Sequence, residues 1–377
     1  MLAPVVCTGC GEAFVVDAAA VGVERHQVWE IPAPRAVVTE YQRRRFCCRR
    51  CGHVTTAPLP DGAPIGMFGA NLEAAIIALT TSQRLSRRAT REVLDELCGV
   101  EIGAGTIDRV LQRSAPTLQS AIEEIDADIA ASSVRHVDET SWRINGSRAW
   151  AWVAVTKRSV RFRITPTRSR DALTTLVGEH PAGITISDRY NAYAAIPDDQ
   201  RQVCWAHLAR DHLGLATRPG VVGELGTRLT GLTKTLFAVY HTHRDDPDAL
   251  TETTMAVRSE IWEALDGLYN QTTDQQARSY AYWLLTHDDA LYSFLTHPGV
   301  DPTNNAAERA LRHLVIHRKT SLGTNTDRGT RTYETLQSIT STLRHQHQNV
   351  YTWLREALAA ANHHTPLPSI LTPLPQG

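Results

Sequence analysis

Acidic side chains that converge from separate elements can carry out metal-assisted phosphoryl transfer, and three positions in this 377-residue chain suit that chemistry. Asp138 lies in Arg135-His136-Val137-Asp138-Glu139-Thr140, which reads as a strand, so Glu139 must face away from it. Asp188 follows Ile184-Thr185-Ile186-Ser187, at the carboxyl end of a second strand, where open αβ sheets gather their ligands. Glu308 falls on a helix opened by Asp301-Pro302-Thr303. Phosphoryl transfer asks for two divalent cations about 4 Å apart rather than covalent help from the protein. Mg²⁺ prefers hard carboxylate oxygens and keeps some of its waters, so a few acids from different elements suffice. Each acid alone has a plainer role: Asp138 at a strand-edge turn, Asp188 as a helix cap, Glu308 paired with Arg312 four residues on. Their joint placement favours a catalytic set.

Four cysteines point to a second kind of metal. Cys7-Thr8-Gly9-Cys10 and Cys48-Arg49-Arg50-Cys51 are C-x-x-C pairs, followed by Gly11 and Gly52. In a reducing compartment such knuckles favour structural Zn²⁺ over disulfides. The metal would replace the core that so short a segment lacks. Cys47 competes with Cys48 as a ligand, and a degenerate knuckle is the alternative. Cys98 and Cys204 read as isolated buried thiols.

These residues need elements to hold them. Residues 1–60 read as a zinc-ribbon-like module, with a Pro/Gly-rich linker over 57–66. Residues 64–131 read as helical. Val93, Leu94 and Leu97 share one face, Ile107, Val110 and Leu111 another, and Gly99 to Gly103 turns between them. That pattern is helix-turn-helix-like, with Thr106 as expected cap and Arg87, Arg88 and Arg91 as candidate DNA contacts; a plain helical hairpin fits it as well. Residues 132–214 switch to strands, with Asn145-Gly146 as a hairpin turn and Val160, Phe162 and Ile164 alternating with Arg161 and Arg163. Three antiparallel strands, then alternating helix and strand, is the ribonuclease H-like order. Residues 215–299 read as a helical insertion, where Leu225, Leu229, Leu232, Leu236 and Val239 step by four and three. Residues 300–345 return to the core with the Glu308 helix, and 346–377 give a helix and a Pro-rich tail expected to be disordered. The expected class is an α+β/αβ multi-domain chain: a ribonuclease H-like mixed sheet with a helical insertion, preceded by the zinc-ribbon-like module and the helical region.

A net charge of −1 argues against a simple DNA-coating protein. Positive charge is instead local, at Arg43 to Arg50, Arg84 to Arg91 and Arg309 to Lys319, and nearly all of it is arginine, which suits bidentate phosphate contacts. No apolar run approaches the ~20 residues that cross a bilayer. With no secretion signal apparent, the expected location is cytoplasmic, in a bacterium, nucleoid-associated when DNA-bound.

The chain resembles transposases of the insertion sequence sixty-six family, within the DDE superfamily. The likeness lies in His136-Val137-Asp138-Glu139-Thr140, Ser187-Asp188-Arg189-Tyr190-Asn191-Ala192-Tyr193 and Cys204-Trp205-Ala206-His207-Leu208-Ala209-Arg210. The strongest block runs from Pro302-Thr303-Asn304-Asn305-Ala306-Ala307-Glu308-Arg309 through Arg312 to Val315-Ile316-His317-Arg318-Lys319. The resemblance implies that Asp138, Asp188 and Glu308 bind Mg²⁺ or Mn²⁺, two ions in all. It implies hydrolysis at transposon ends and attack of the freed 3′-hydroxyl on target DNA. It places Cys204, Trp205 and His207 beside the metal site, with His207, Arg309 and Arg312 towards phosphate and Asn304 orienting Glu308 or a water. Double-stranded DNA, further copies of the chain and accessory proteins of the same element are the implied partners. Such transposases usually carry a longer N-terminal part with a coiled-coil-like helix, so this copy reads as truncated or immobile. The alternatives are a silent or domesticated DNA-binding relative, or a ribonuclease H-like nuclease without strand transfer.

Overall fold

The computed structural model describes residues 4–15, 21–32, 34–64 and 66–373. Two short strands, β1 (Arg45–Cys47) and β2 (Val54–Thr56), pair antiparallel near the N-terminus. Four helices follow: α1 (Ala70–Ile77), α2 (Arg87–Cys98), α3 (Ala104–Thr117) and α4 (Gln119–Ala131). A five-residue π-helical turn, Ala78–Ser82, extends α1. Gly99, at φ 65°, ends α2 in the left-handed conformation that glycine adopts freely. The expected cap Thr106 is not used: Gly103 stands at the N-cap of α3, and the Thr106 hydroxyl accepts a bond from Arg109 instead.

The central sheet has the strand order β5-β4-β3-β6-β7. β3 (Val134–Ile144), β4 (Ser147–Val155) and β5 (Val160–Thr165) form an antiparallel meander. Its first turn is Asn145-Gly146, both residues at positive φ, as a two-residue hairpin of matching twist requires. After α5 (Arg170–Val177), β6 (Ile184–Ser187) joins parallel to β3, and β7 (Arg201–Val203) joins parallel to β6. β7 ends at Val203, because Trp205 already opens α6 (Trp205–Ala216).

Helices α7 (Gly220–His243), α8 (Pro247–Gln271), α9 (Gln275–Thr286), α10 (Asp288–Leu291) and α11 (Ser293–Thr296) fill the next stretch. Their leucine stripes share a core with Ile184, Ile186, Val203 and Trp205. Then α12 (Asn305–Ser321) packs on one face of the meander, through Ala307, Leu311 and Leu314 against Trp142, Ala151 and Val153. The opposite face, with Val137, Trp152 and Ala154, packs in a core that includes α4, α5, α13 (Asp327–His345) and α14 (Val350–Asn362).

β5 is a sheet edge, and its outward N–H groups would be orphaned against a helix. Glu334, Ser338 and Thr342, four residues apart on α13, accept them from Ile164, Phe162 and Val160, the last two at 3.0 Å. A polar stripe thereby closes the edge.

The tail expected to be disordered is packed as far as it is described. Ile370 is wholly buried, its N–H donates to Glu124 at 3.0 Å, and Trp353 donates to the Ser369 carbonyl at 3.1 Å. Proline content removes donors from this segment but not the Ile370 side chain, whose burial anchors it. Among the described residues no helix is long and apolar enough to cross a membrane.

Candidate active site

Strand alternation separates the neighbouring acids. Glu139 enters the helix-covered face, where its carboxylate pairs with Arg168 and accepts the Tyr193 hydroxyl. Arg168 in turn lies 3.3 Å over the Tyr190 ring. Asp138 shares the other face with His136, beneath α12, and its Oδ1 accepts the Glu139 N–H at 2.8 Å. Burial, then the charges of Glu139, Asp188 and Glu308, raise the Asp138 pKa to about 7. The acids therefore feel one another.

The parallel register accounts for this. Val134 lies opposite Ile184 and His136 opposite Ile186. Two residues further along each chain, Asp188 comes level with Asp138 as β6 ends. Asp188 Oδ1 accepts the Tyr190 N–H at 2.8 Å, turning the chain into the 3₁₀ segment Asn191–Ala195. Its carbonyl accepts from the buried Arg201 at 2.7 Å.

Glu308 is delivered by the first turn of α12, which is pinned at its start. Fully buried Asn304 donates from Nδ2 to the Val137 carbonyl at 2.8 Å, and its Oδ1 lies 3.3 Å from His136 Nδ1. The Asn304 N–H meets Cys204 Sγ at 3.2 Å, and the Trp205 N–H donates to the Pro302 carbonyl at 2.9 Å. Asn304 spends its Nδ2 on the backbone of β3 and its Oδ1 faces His136, so its hold on Glu308 runs through the start of α12. Trp205 is buried and donates to the Leu291 carbonyl at 2.7 Å, so it ties α6 to α10.

Glu308 does not pair with Arg312. Its Oε1 lies 3.2 Å from Arg210 and 3.8 Å from His207 Nδ1, both on α6. That nitrogen is buried without a hydrogen-bond partner among the described residues. Burial, then the Arg210 charge, lowers the His207 pKa. Spacing could not reveal the Arg210 contact, which joins residues 98 apart. Among the described residues no three His, Cys, Asp or Glu side chains are gathered as a ready-made metal cluster. The donor set is nevertheless suited to a hard divalent ion: three carboxylates from separate elements, one with its pKa near 7 partly through the charges of the other two.

The cysteine pairs form matching turns. The Gly11 N–H donates to Cys7 at 2.8 Å and the Gly52 N–H to Cys48 at 2.9 Å, with Cys7 and Cys48 donating to Glu12 and His53. Backbone N–H groups, of Gly9 and Cys10 in one turn and of Cys51 and Arg50 in the other, lower the Cys7 and Cys48 pKa values. Cys47 instead points its thiol at the Gly52 carbonyl, 3.4 Å away. Cys98 is half-buried and Cys204 fully buried.

The candidate DNA-contacting arginines divide. Arg87 is paired with Asp108 at 2.7 Å and Arg88 with Glu92 at 2.8 Å. Arg91, Arg309 and Arg312 are exposed.

The sequence profile described as "Transposase IS66 family" matches residues 65–332, well over half of the chain. The chain belongs to the IS66 transposase family. Two proteins of Sinorhizobium fredii (strain NBRC 101917 / NGR234) are similar to it. The one named "Uncharacterized protein y4hP" is 25% identical, covering 96% of this chain and 71% of its own length. The other, "Uncharacterized protein y4qI", is also 25% identical, covering 56% of this chain and 43% of its own length. An IS66-family chain is a DNA-acting enzyme, and the matched span holds Asp138, Asp188 and Glu308 together with α12.

The buried Asp138 predicts a pH signature. Its pKa in the folded, metal-free protein exceeds the ordinary value, so ionising it opposes folding, and the wild type loses stability as pH rises from about 4 to about 7. Asp138→Asn is expected to unfold at the same denaturant concentration as wild type near pH 4 and to be the more stable by up to about 4 kcal/mol above pH 7, in chelator. Denaturant titrations at several pH values measure this; parallel curves for the two proteins would contradict it.

Proposed function

We propose that the chain cleaves transposon ends and joins the freed 3′-hydroxyl to target DNA, with Asp138, Asp188 and Glu308 as the catalytic acids on a ribonuclease H-like core. What supports the reading is the placement of Asp138 on β3, of Asp188 just past the end of neighbouring β6 and of Glu308 in the first turn of α12, with the charges of Asp188 and Glu308 among the causes that raise the Asp138 pKa. When bound there, Mg²⁺ or Mn²⁺ supplies the Lewis acidity that phosphoryl transfer requires.

Asp138 and Asp188 would hold the metal from adjacent parallel strands, and Glu308 would close the site from above. In the structure the Glu308 carboxylate rests against Arg210, so joining the site requires it to leave that guanidinium. Water attacks the phosphorus, the phosphorus–O3′ bond breaks, and the 3′-oxygen leaves with a proton as a hydroxyl while the water oxygen stays on the 5′-phosphate; in the second step that hydroxyl gives up its proton and attacks a target phosphodiester, whose own phosphorus–O3′ bond breaks and whose 3′-oxygen leaves with a proton. His207, whose Nδ1 lies 3.8 Å from Glu308 without a hydrogen-bond partner among the described residues, would hold a hydrogen bond to the substrate phosphate.

We assign Cys7, Cys10, Cys48 and Cys51 to a structural Zn²⁺ site in a zinc-ribbon-like module, on the matching turns that favour their thiolates. Cys47 is left out because its thiol faces a carbonyl.

Asp188→Asn is expected to abolish Mn²⁺-dependent cleavage of end DNA while leaving DNA affinity within about twofold; undiminished cleavage removes Asp188 from the mechanism. For the zinc site, Cys48→Ser should lower the zinc content of purified protein and Cys47→Ser should not. Equal zinc in both variants would overturn the assignment.

A further inference from the structure

We propose that the groove between α12 and α13 is a second binding site, which takes a phosphate of the DNA strand leaving the candidate active site. This rests on the proposed function.

The groove has a volume of about 230 Å³ and is lined by Arg309, His313, Gln337, Ser341, Arg344 and His345 among others, with no Asp or Glu in its wall. That is far more space than one water needs and less than the ~300–1,000 Å³ of a typical small-molecule pocket. It suits a single phosphodiester group. Arg309 and His313 are one turn apart on α12, and neither has a side-chain hydrogen-bond or ion-pair partner among the described residues. Arg344 is steadied by the Ser82 carbonyl, 2.9 Å from Nη1, which leaves its other nitrogens to a ligand. His345 donates from Nε2 to the Thr156 carbonyl at 3.0 Å, which fixes its ring in the groove wall. Burial, then the charges of Arg84 and Arg344, lowers the His313 pKa.

One lining residue, Ser82, adjoins unusual backbone. Ser82 ends the π-helical turn, and Arg84, two residues on, has φ 61°, in the left-handed region that non-glycine residues avoid. Strained backbone of this kind collects at ligand sites.

Position supplies the link to the acids. Val155 in the groove floor pairs with His136, two strand residues or roughly 7 Å from Asp138. Arg309 follows Glu308, and one residue turns the helix by about 100°. Glu308 therefore faces α6 while Arg309 faces the groove. A strand whose scissile phosphate lies over Asp138 has its next phosphates within reach of Arg309.

Fluorescence anisotropy of labelled end DNA, titrated with salt, tests this. Arg309→Gln should lower affinity about tenfold near 0.1 M salt and reduce the log–log salt slope by about 0.9, as loss of one phosphate contact requires. Arg309→Lys should restore the slope. Arg228→Gln, removing an arginine already paired with Glu263, should leave both unchanged. An unchanged slope in a folded Arg309→Gln protein overturns the site. So does loss of inorganic phosphate binding by calorimetry with DNA binding intact, which would mark a free-phosphate site. Wild-type protein that binds no DNA would instead overturn the proposed function.

Discussion

The site depends on one buried guanidinium. Arg135, with no exposed surface, donates from Nε to the Ile129 carbonyl at 3.0 Å, from Nη1 to Thr185 Oγ1 at 3.1 Å, and from Nη2 to the carbonyls of Ser132 and Ala182. It joins the end of α4, the start of β3 and the start of β6 in a single knot. Burial lowers its pKa to about 10, still high enough to keep the charge at neutral pH. A close approach reinforces the knot: Gly183 sits at φ +68°, and a Cβ there would lie 2.1 Å from the Ser133 carbonyl oxygen. Together these fix the parallel register of β3 and β6. A slip of one residue would send one of the two aspartates to the opposite face.

From that register the rest follows in layers. Asp138 and Asp188 become neighbours, and Glu139 is turned away into a polar cluster with Arg168 and Tyr193. The third acid comes from α12, reached only after the helical stretch α7–α11. Asn304 and Cys204 hold its start against β3 and β7, so a residue distant in sequence arrives at a defined place. The helices between share a core with Ile186 and Val203, which couples their packing to the strands bearing the site.

Much of this was legible because it is periodic or local. Alternation along 134–144 separates Asp138 from Glu139, and Asn145-Gly146 announces its turn through two positive φ values. The order of strands and helices also reads directly from apolar spacing. What stayed hidden is what depends on contacts across long stretches of chain. Nothing near Glu308 signals Arg210, and a lone asparagine does not announce that its amide will bind the Val137 carbonyl. The polar stripe Glu334, Ser338 and Thr342 looks like a solvated helix face until β5 is placed beside it. Proline content suggested disorder for the tail, yet one buried Ile370 outweighs it.

We propose that Asp138, Asp188 and Glu308 share a metal. Crystals soaked in Mn²⁺ and measured for anomalous scattering test it most directly. A Mn²⁺ peak is expected between the carboxylates of Asp138 and Asp188, with Glu308 turned from Arg210 towards it. Density showing no metal at these aspartates, with Glu308 still against Arg210 at saturating Mn²⁺, would contradict it.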